Sequence, residues 1–261
     1  MLKIKLTTKD LAAIAVCSAL YAVLGLVFKY LIPVNFYGIA FLPAVVIPAV
    51  FAVLYGPWVG GISGAIGIFL FDMLGHGIPA LSLVAGVPPN FILFFLIGYL
   101  YTKNISLKQA LTYVSLAIVG LSISSIFLLS DIAAFVSLSN KVALFAFTLT
   151  VIVSLVAIAA VSIRWKEWRS YAIGAVAGQI TGGLLLSVTV WAVSPLFLDY
   201  FGVPFDAIYV MPFFVWTVAT EIPFILLLGP PIIKAVQMAF PSLRYRNKPS
   251  GNGEAIAQKS R

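Results

Sequence analysis

The sequence has little with which to face water or to carry out chemistry. Charged residues make up 9% of its 261 positions, against about a quarter in ordinary soluble domains, so a water-facing surface could not be covered. A single cysteine, Cys17, excludes an internal disulfide and a thiolate zinc site. A single histidine, His76, excludes a His-Glu-x-x-His helix and a histidine-rich metal cage. A serine nucleophile would have only His76 as its base. There is no Gly-x-x-x-x-Gly-Lys-Ser/Thr run, so ATP is not hydrolysed at a phosphate loop of this chain. Neither an enzyme nor a bound cofactor or metal is expected.

What the chain has in quantity is apolar residues, 62% of the total, with a mean hydropathy of +1.11. They fall in blocks of the roughly 17 to 25 residues needed to cross hydrocarbon. The blocks run Leu11 to Leu31, Ile39 to Tyr55, Pro57 to Leu74, Leu83 to Tyr101, Ala110 to Leu129, Val142 to Ile163, Ala172 to Val193, and Ile208 to Leu228 with an extension toward Met238. The expected fold is therefore all-α, a polytopic membrane bundle of about eight spans, or six to eight. Only Gly56-Pro57 separates the second block from the third, which leaves two readings open, a pair of helices or one re-entrant hairpin.

The net charge of +8 is a matter of orientation. With the N-terminus inside, 14 of the 16 basic residues fall on the cytoplasmic side, and only Lys29 and Lys141 lie opposite. That bias predicts both termini inside a cell membrane and an even number of spans, and nucleic-acid binding needs no separate hypothesis. The first block is too long for a signal-peptide core and reads as a retained helix. Residues 1–240 form one transmembrane domain, with 4 + 4 parallel halves (1–105 and 106–240) as a possible repeat. Residues 241–261 form a basic, disordered cytosolic tail suited to anionic headgroups.

Small residues recur at helical spacing: Gly60, Gly64 and Gly67; Gly174, Gly178 and Gly182; Ala12, Ala15, Ala19 and Ala22. Each stripe suits either close packing inside the bundle or docking of a partner's helix. Polar groups within spans are rarer and more informative. Glu221 falls near the middle of the last block, with Trp216, Thr217 and Thr220 close by around the helix. Its carboxyl must be protonated, paired, or turned toward a wet cavity, and the readings are ligand contact, proton coupling, or a structural hydrogen bond. Asp72 and His76 stand four apart and meet if their helix continues through Gly75. Asn90 follows Pro88-Pro89, Gln179 lies within the seventh block, and the first outer loop, Pro33 to Gly38, carries Asn35 and Tyr37. Aromatic walls with a few convergent polar groups suit a small-molecule pocket on the outer half.

The stretch Phe41-Leu42-Pro43 through Leu54-Tyr55-Gly56-Pro57-Trp58-Val59-Gly60-Gly61-Ile62-Ser63-Gly64, running on to Phe71-Asp72, resembles the substrate-binding (S) components of energy-coupling-factor transporters. Ala12 to Ala19 is similar to that family's first helix, whose Ala-x-x-x-Ala motif maps onto Ala15 and Ala19. The resemblance covers Leu11 to Tyr101 and implies docking of that motif on a transmembrane coupling (T) component, with two cytosolic ATPases supplying energy. It implies usually six spans, and a vitamin-sized ligand near the outer face, capped by the loop between the first two. The expected function is capture of a vitamin, a vitamin precursor or a similar micronutrient. The alternative is a stand-alone secondary transporter that uses Glu221 and Asp72 as protonatable carriers.

Overall fold

The computed structural model describes residues 6–135 and 140–245. Eight long helices follow one another: α1 (Thr8–Leu31), α2 (Val46–Tyr55), α3 (Pro57–Gly75), α4 (Val87–Tyr101), α5 (Leu107–Phe135), α6 (Asn140–Ala159), α7 (Arg169–Val193) and α8 (Val210–Ala239). A two-stranded hairpin, β1 (Asn35–Phe36) with β2 (Ile39–Ala40), lies between α1 and α2. Ile39, expected to open the second span, is thus in a strand, and helix starts only at the Pro43–Val45 turn. The tail beyond Tyr245 lies outside the described residues.

Among the described residues, five segments are long and apolar enough to cross a membrane: Thr8–Leu31, Pro57–Gly75, Pro79–Tyr101, Lys166–Leu196 and Ala207–Ala239. Three shorter apolar helices, Pro43–Tyr55, Leu107–Gly120 and Thr148–Arg164, accompany them. The ten residues of α2 and the three of its lead-in turn rise about 20 Å, against a hydrocarbon layer of about 30 Å. Gly56, at φ +103°, reverses the chain into α3, and Pro57 takes the first helical position, where its missing N–H costs nothing.

Local sequence sets the helix ends. Thr7 caps α1 by accepting from the Asp10 N–H, while the Asp10 carboxylate accepts from the Thr7 N–H at 2.9 Å. Inside α8, Pro223 cannot donate to the carbonyl of Ala219. Ser154 of α6 donates to that carbonyl instead, at 2.8 Å, and so ties α6 to α8.

The bundle is organised around α4, which lies between two glycine faces. A methyl group on Gly64 of α3 would meet the Phe94 ring, and one on Gly178 of α7 would lie 2.6 Å from the Leu93 carbonyl oxygen. Along both faces rising numbers on the glycine helix meet falling numbers on α4, so α3 and α7 each run antiparallel to it. Ser18 of α1 donates to the Ser63 carbonyl at 3.2 Å, and Gly67 sits against Tyr21, so α1 runs parallel to α3. Tyr171 of α7 donates to the Ile225 carbonyl at 2.8 Å and Gln179 meets Glu221, which makes α8 antiparallel to α7. The start of α1 and the end of α8 therefore share one end of the bundle. Lys9, Lys103 and Lys234 lie there, with Ser170 donating to the Lys103 carbonyl at 2.5 Å. We call this the basic end and the other, which carries the hairpin, the capped end.

The α4 contacts leave no room for a side chain, whereas a methyl group on Gly120 of α5 would meet nothing within 4 Å. Gly178→Val is expected to lower the thermal unfolding midpoint in detergent by several degrees, as overpacking costs about 1–3 kcal/mol. Gly120→Ala is expected to leave it unchanged or raise it slightly; equal losses from both would refute the packing role of α4.

Candidate functional site

At the capped end the hairpin turns through Tyr37 and Gly38, at φ +47° and +85°. The two-residue loop is of type I′, which demands positive φ at both positions; that suits Gly38 and costs Tyr37 about 1–2 kcal/mol. Contacts hold it there. Tyr37 packs on Phe205, Tyr209 and Phe213 with ring centroids 5.3, 5.7 and 6.3 Å away, and the Asn35 side-chain oxygen accepts from the Gly38 N–H at 3.3 Å. Trp216 of α8 donates its indole N–H to the Ile39 carbonyl at 3.1 Å. Tyr200, from the short Leu198–Phe201 turn, lies against Gly38 and donates weakly to its carbonyl at 3.4 Å. Burial, reinforced by the Asp72 carboxylate, raises the Tyr200 pKa, so its hydroxyl remains a donor at any physiological pH.

Beneath this aromatic cap is a cavity of about 100 Å³. Its polar walls come from Tyr21 of α1, Asp72 of α3, Ser82, Asn90 of α4 and Glu221 of α8. Two features of the chain place the middle three. Pro88 and Pro89 have no N–H to give the preceding turn, and Ser82–Gly86 widens into a π-helical turn closed by the Val87 N–H on the Ser82 carbonyl. That turn brings Ser82 to Asp72, whose Oδ2 accepts the Ser82 hydroxyl at 2.6 Å. A methyl group on Gly86 would stand 2.7 Å from the same oxygen, so a larger residue there would displace the carboxylate.

The remaining contacts fix proton positions. His76 Nδ1 accepts from the Ile78 N–H at 3.0 Å, which assigns its proton to Nε2, 3.5 Å from Asp72 Oδ1. Asn90 accepts the Tyr21 hydroxyl at 2.9 Å and gives one amide hydrogen to the Gly86 carbonyl at 3.0 Å. Glu221 is 8% exposed, and Gln179, itself 1% exposed, donates to its Oε2 at 2.5 Å. No hydrogen bond to Glu221 Oε1 occurs among the described residues.

The structure therefore brings Glu221, Asn90, Asp72 and His76 to one cavity, with Gln179 behind Glu221. Asn35, Tyr37 and Trp216 belong to the cap and do not line the cavity. Thr217 donates to the Phe213 carbonyl of its own helix at 2.9 Å. On α1, Ala12, Ala15 and Ala19 are exposed while Ala22 is buried in the core, so the outward stripe is three alanines long. Tyr21, Ser82 and Tyr200 join the site without a sequence signal of their own. Tyr21 could have been suspected as the one ring near the alanine stripe, whereas nothing near Tyr200 in sequence points to Gly38, 162 residues away.

Residues 5–166, more than half of the chain, match the ECF-type riboflavin transporter, S component family. The chain belongs to that family. Comparison with curated proteins and with solved structures finds no match. An S component is a membrane transport protein of vitamin uptake and not an enzyme, in keeping with the apolar helices described above. The matched segment ends before α7 and α8, so Gln179, Tyr200 and Glu221 lie outside it.

The Gln179–Glu221 pair can be tested in detergent. Gln179→Leu is expected to cost about 1–3 kcal/mol by leaving the carboxyl without its donor. In a Glu221→Leu background the same change should cost far less; a loss of equal size in both backgrounds would show that the two residues are not coupled.

Proposed function

We propose that this S component captures a vitamin, a vitamin precursor or a similar micronutrient in the cavity beneath the hairpin. The observation that carries the reading is the convergence of Glu221, Asp72 and Asn90 on one cavity inside an apolar bundle. Buried polar groups with hydrogen-bonding capacity to spare cost free energy unless something completes them, and a polar ligand does so. The family's name suggests riboflavin-type cargo. Drug-sized ligands occupy about 300–1,000 Å³, while this cavity holds about 100 Å³, so in this reading loading enlarges the cavity by a movement of the hairpin. The cap is well suited to that motion, since Tyr200 holds the Gly38 carbonyl by a long hydrogen bond and the ring contacts of Tyr37 are worth about 0.5–1.5 kcal/mol each.

In this reading the capped end faces outward, the basic end faces the cytosol, and the protein sits in the cell membrane with both termini inside. Energy comes from a T component and two ATPase subunits, which fits a chain without a phosphate loop. Ala12, Ala15 and Ala19 form the docking stripe. Beside it a groove of about 670 Å³ runs between α1, α2 and α8, lined by Val16, Leu20, Phe51, Tyr55 and Val236. Such a groove receives a partner's apolar helix. ATP hydrolysis then turns the loaded bundle so that the cavity opens inward.

The burial of Glu221 also favours a second reading, a stand-alone transporter in which this carboxyl carries protons. Vesicle uptake separates the two. The proposed function predicts uptake only when T and ATPase subunits are present. It also predicts a loss of more than tenfold in Ala15→Trp or Ala19→Trp with ligand binding by the isolated chain unchanged. Uptake by the chain alone, driven by a proton gradient and abolished in Glu221→Gln, would establish the second reading instead.

A further inference from the structure

A second groove, at the basic end, takes no part in capture. About 610 Å³ in volume, it lies between α5 and α7 beside the connection from α4 to α5. Its floor is apolar, made of Leu116 and Ala117 of α5 and Val176, Ala177 and Ile180 of α7, and its mouth carries Lys103, Asn104 and Gln109. Both helices start at the basic end, so the lining runs down α5 from Gln109 to Ala117 and down α7 from Ile173 to Thr181. Either path is about 12 Å long, against about 15 Å for the hydrocarbon of one leaflet. A partner's spanning helix needs a groove through both leaflets, whereas a lipid needs only one.

The mouth is positively charged and not neutralised. Lys103 Nζ lies over the Tyr99 ring, 4.6 Å from its centroid, and Tyr99 is itself stacked on Phe95 at 6.1 Å. Ser170 fixes the backbone there by donating to the Lys103 carbonyl. Tyr113 is the other titratable group of the lining; no carboxylate lines the groove, and Lys103 makes no ion pair among the described residues. The first turn of α5 adds donors. Gln109 Oε1 accepts from the N–H and the hydroxyl of Ser106, at 3.0 and 3.1 Å. Among the described residues, neither the Gln109 amide hydrogens nor the N–H groups of Leu107 and Lys108 find an acceptor. An ammonium group beside the start of a long helix attracts an anion.

We propose that this groove holds one anionic phospholipid from the leaflet at the basic end. Its phosphate sits between Lys103 and the first turn of α5, and an acyl chain lies along Leu116, Ala117 and Ala177. A zwitterionic lipid offers the same chain and phosphate but brings a cation of its own toward Lys103, so charge decides between them. The site is independent of vitamin capture, since it shares no residue with the cavity beneath the hairpin.

The test uses the purified full chain in detergent micelles doped with equal amounts of dioleoylphosphatidylglycerol and dioleoylphosphatidylcholine, with retained lipid counted by native mass spectrometry. The unaltered chain is expected to retain one phosphatidylglycerol in preference to phosphatidylcholine by about fivefold, the effect of one lysine at a headgroup. Lys103→Gln should bring that ratio below about twofold, and Lys103→Arg should keep it. The ratio is read within one sample, so a smaller yield of folded protein cannot imitate its fall. Ala177→Trp, which fills the floor, should lose the retained lipid of either kind while remaining monodisperse. Lys234→Gln, at the same end but lining a different groove, should leave the ratio unchanged. An equal fall in Lys234→Gln, or a lipid still retained by Ala177→Trp, overturns the proposal. So does equal retention of the two lipids by the unaltered chain, or retention of neither, which would leave the groove to a partner's helix.

Discussion

The close approach of α4 to α3 and α7 is the contact on which the rest of the molecule depends. Between helices in lipid there is no hydrophobic drive to associate, so attraction comes from backbones that come near enough for dispersion forces to add up. Gly60 and Gly64 on one side, and Gly174, Gly178 and Gly182 on the other, let α4 lie directly against both neighbours. Everything polar in the cavity is placed from that unit. Asn90 rides on α4 itself, Asp72 ends α3, and Gln179 lies one residue from Gly178 on α7. Tyr21 reaches Asn90 because Gly67 allows α1 to close on α3.

A rigid interior beneath a lighter cap follows from the same chemistry. The interior is held by glycine contacts and by hydrogen bonds from buried hydroxyls to carbonyls, such as Tyr171 to Ile225 and Ser154 to Ala219. The cap is held by aromatic faces and by side-chain hydrogen bonds, those from Trp216 and Tyr200 among them. Each ring contact is individually small, so the hairpin can be displaced without disturbing the bundle. The proposed capture makes use of that division, with the polar groups keeping their positions while the hairpin moves.

Much of this was legible in the sequence because a bilayer allows few alternatives. Each apolar run contains a helix, since backbone in lipid must satisfy its own hydrogen bonds, but among the described residues only five of these helices are long and apolar enough to cross a membrane. Polar residues singled out in the sequence meet in space: Glu221, Asn90, Asp72 and His76 line one cavity, and Gln179 donates to the first of them. The failures have physical causes. Ile39 reads as the start of a span by its neighbours' hydropathy, but the Tyr37-Gly38 turn makes a hairpin first. Thr217 looks available, yet a threonine in a helix satisfies itself on the preceding turn. Tyr200 and Ser82 are placed by tertiary contacts and a π turn, which leave no periodic trace.

The division of the cavity between two parts of the chain gives the family likeness a definite meaning. Tyr21, Asp72, Ser82 and Asn90 lie within the matched segment, and Glu221, Tyr200, Leu186 and Val190 beyond it. The first group is knit together by its own hydrogen bonds, Tyr21 to Asn90 and Ser82 to Asp72, which commit both of its hydroxyls. The second supplies the open carboxyl oxygen and the residues nearest the cap. If the proposed capture holds, a ligand in this cavity meets the open carboxyl on α8, and substitution there would alter that contact without loosening the α3–α4–α7 packing.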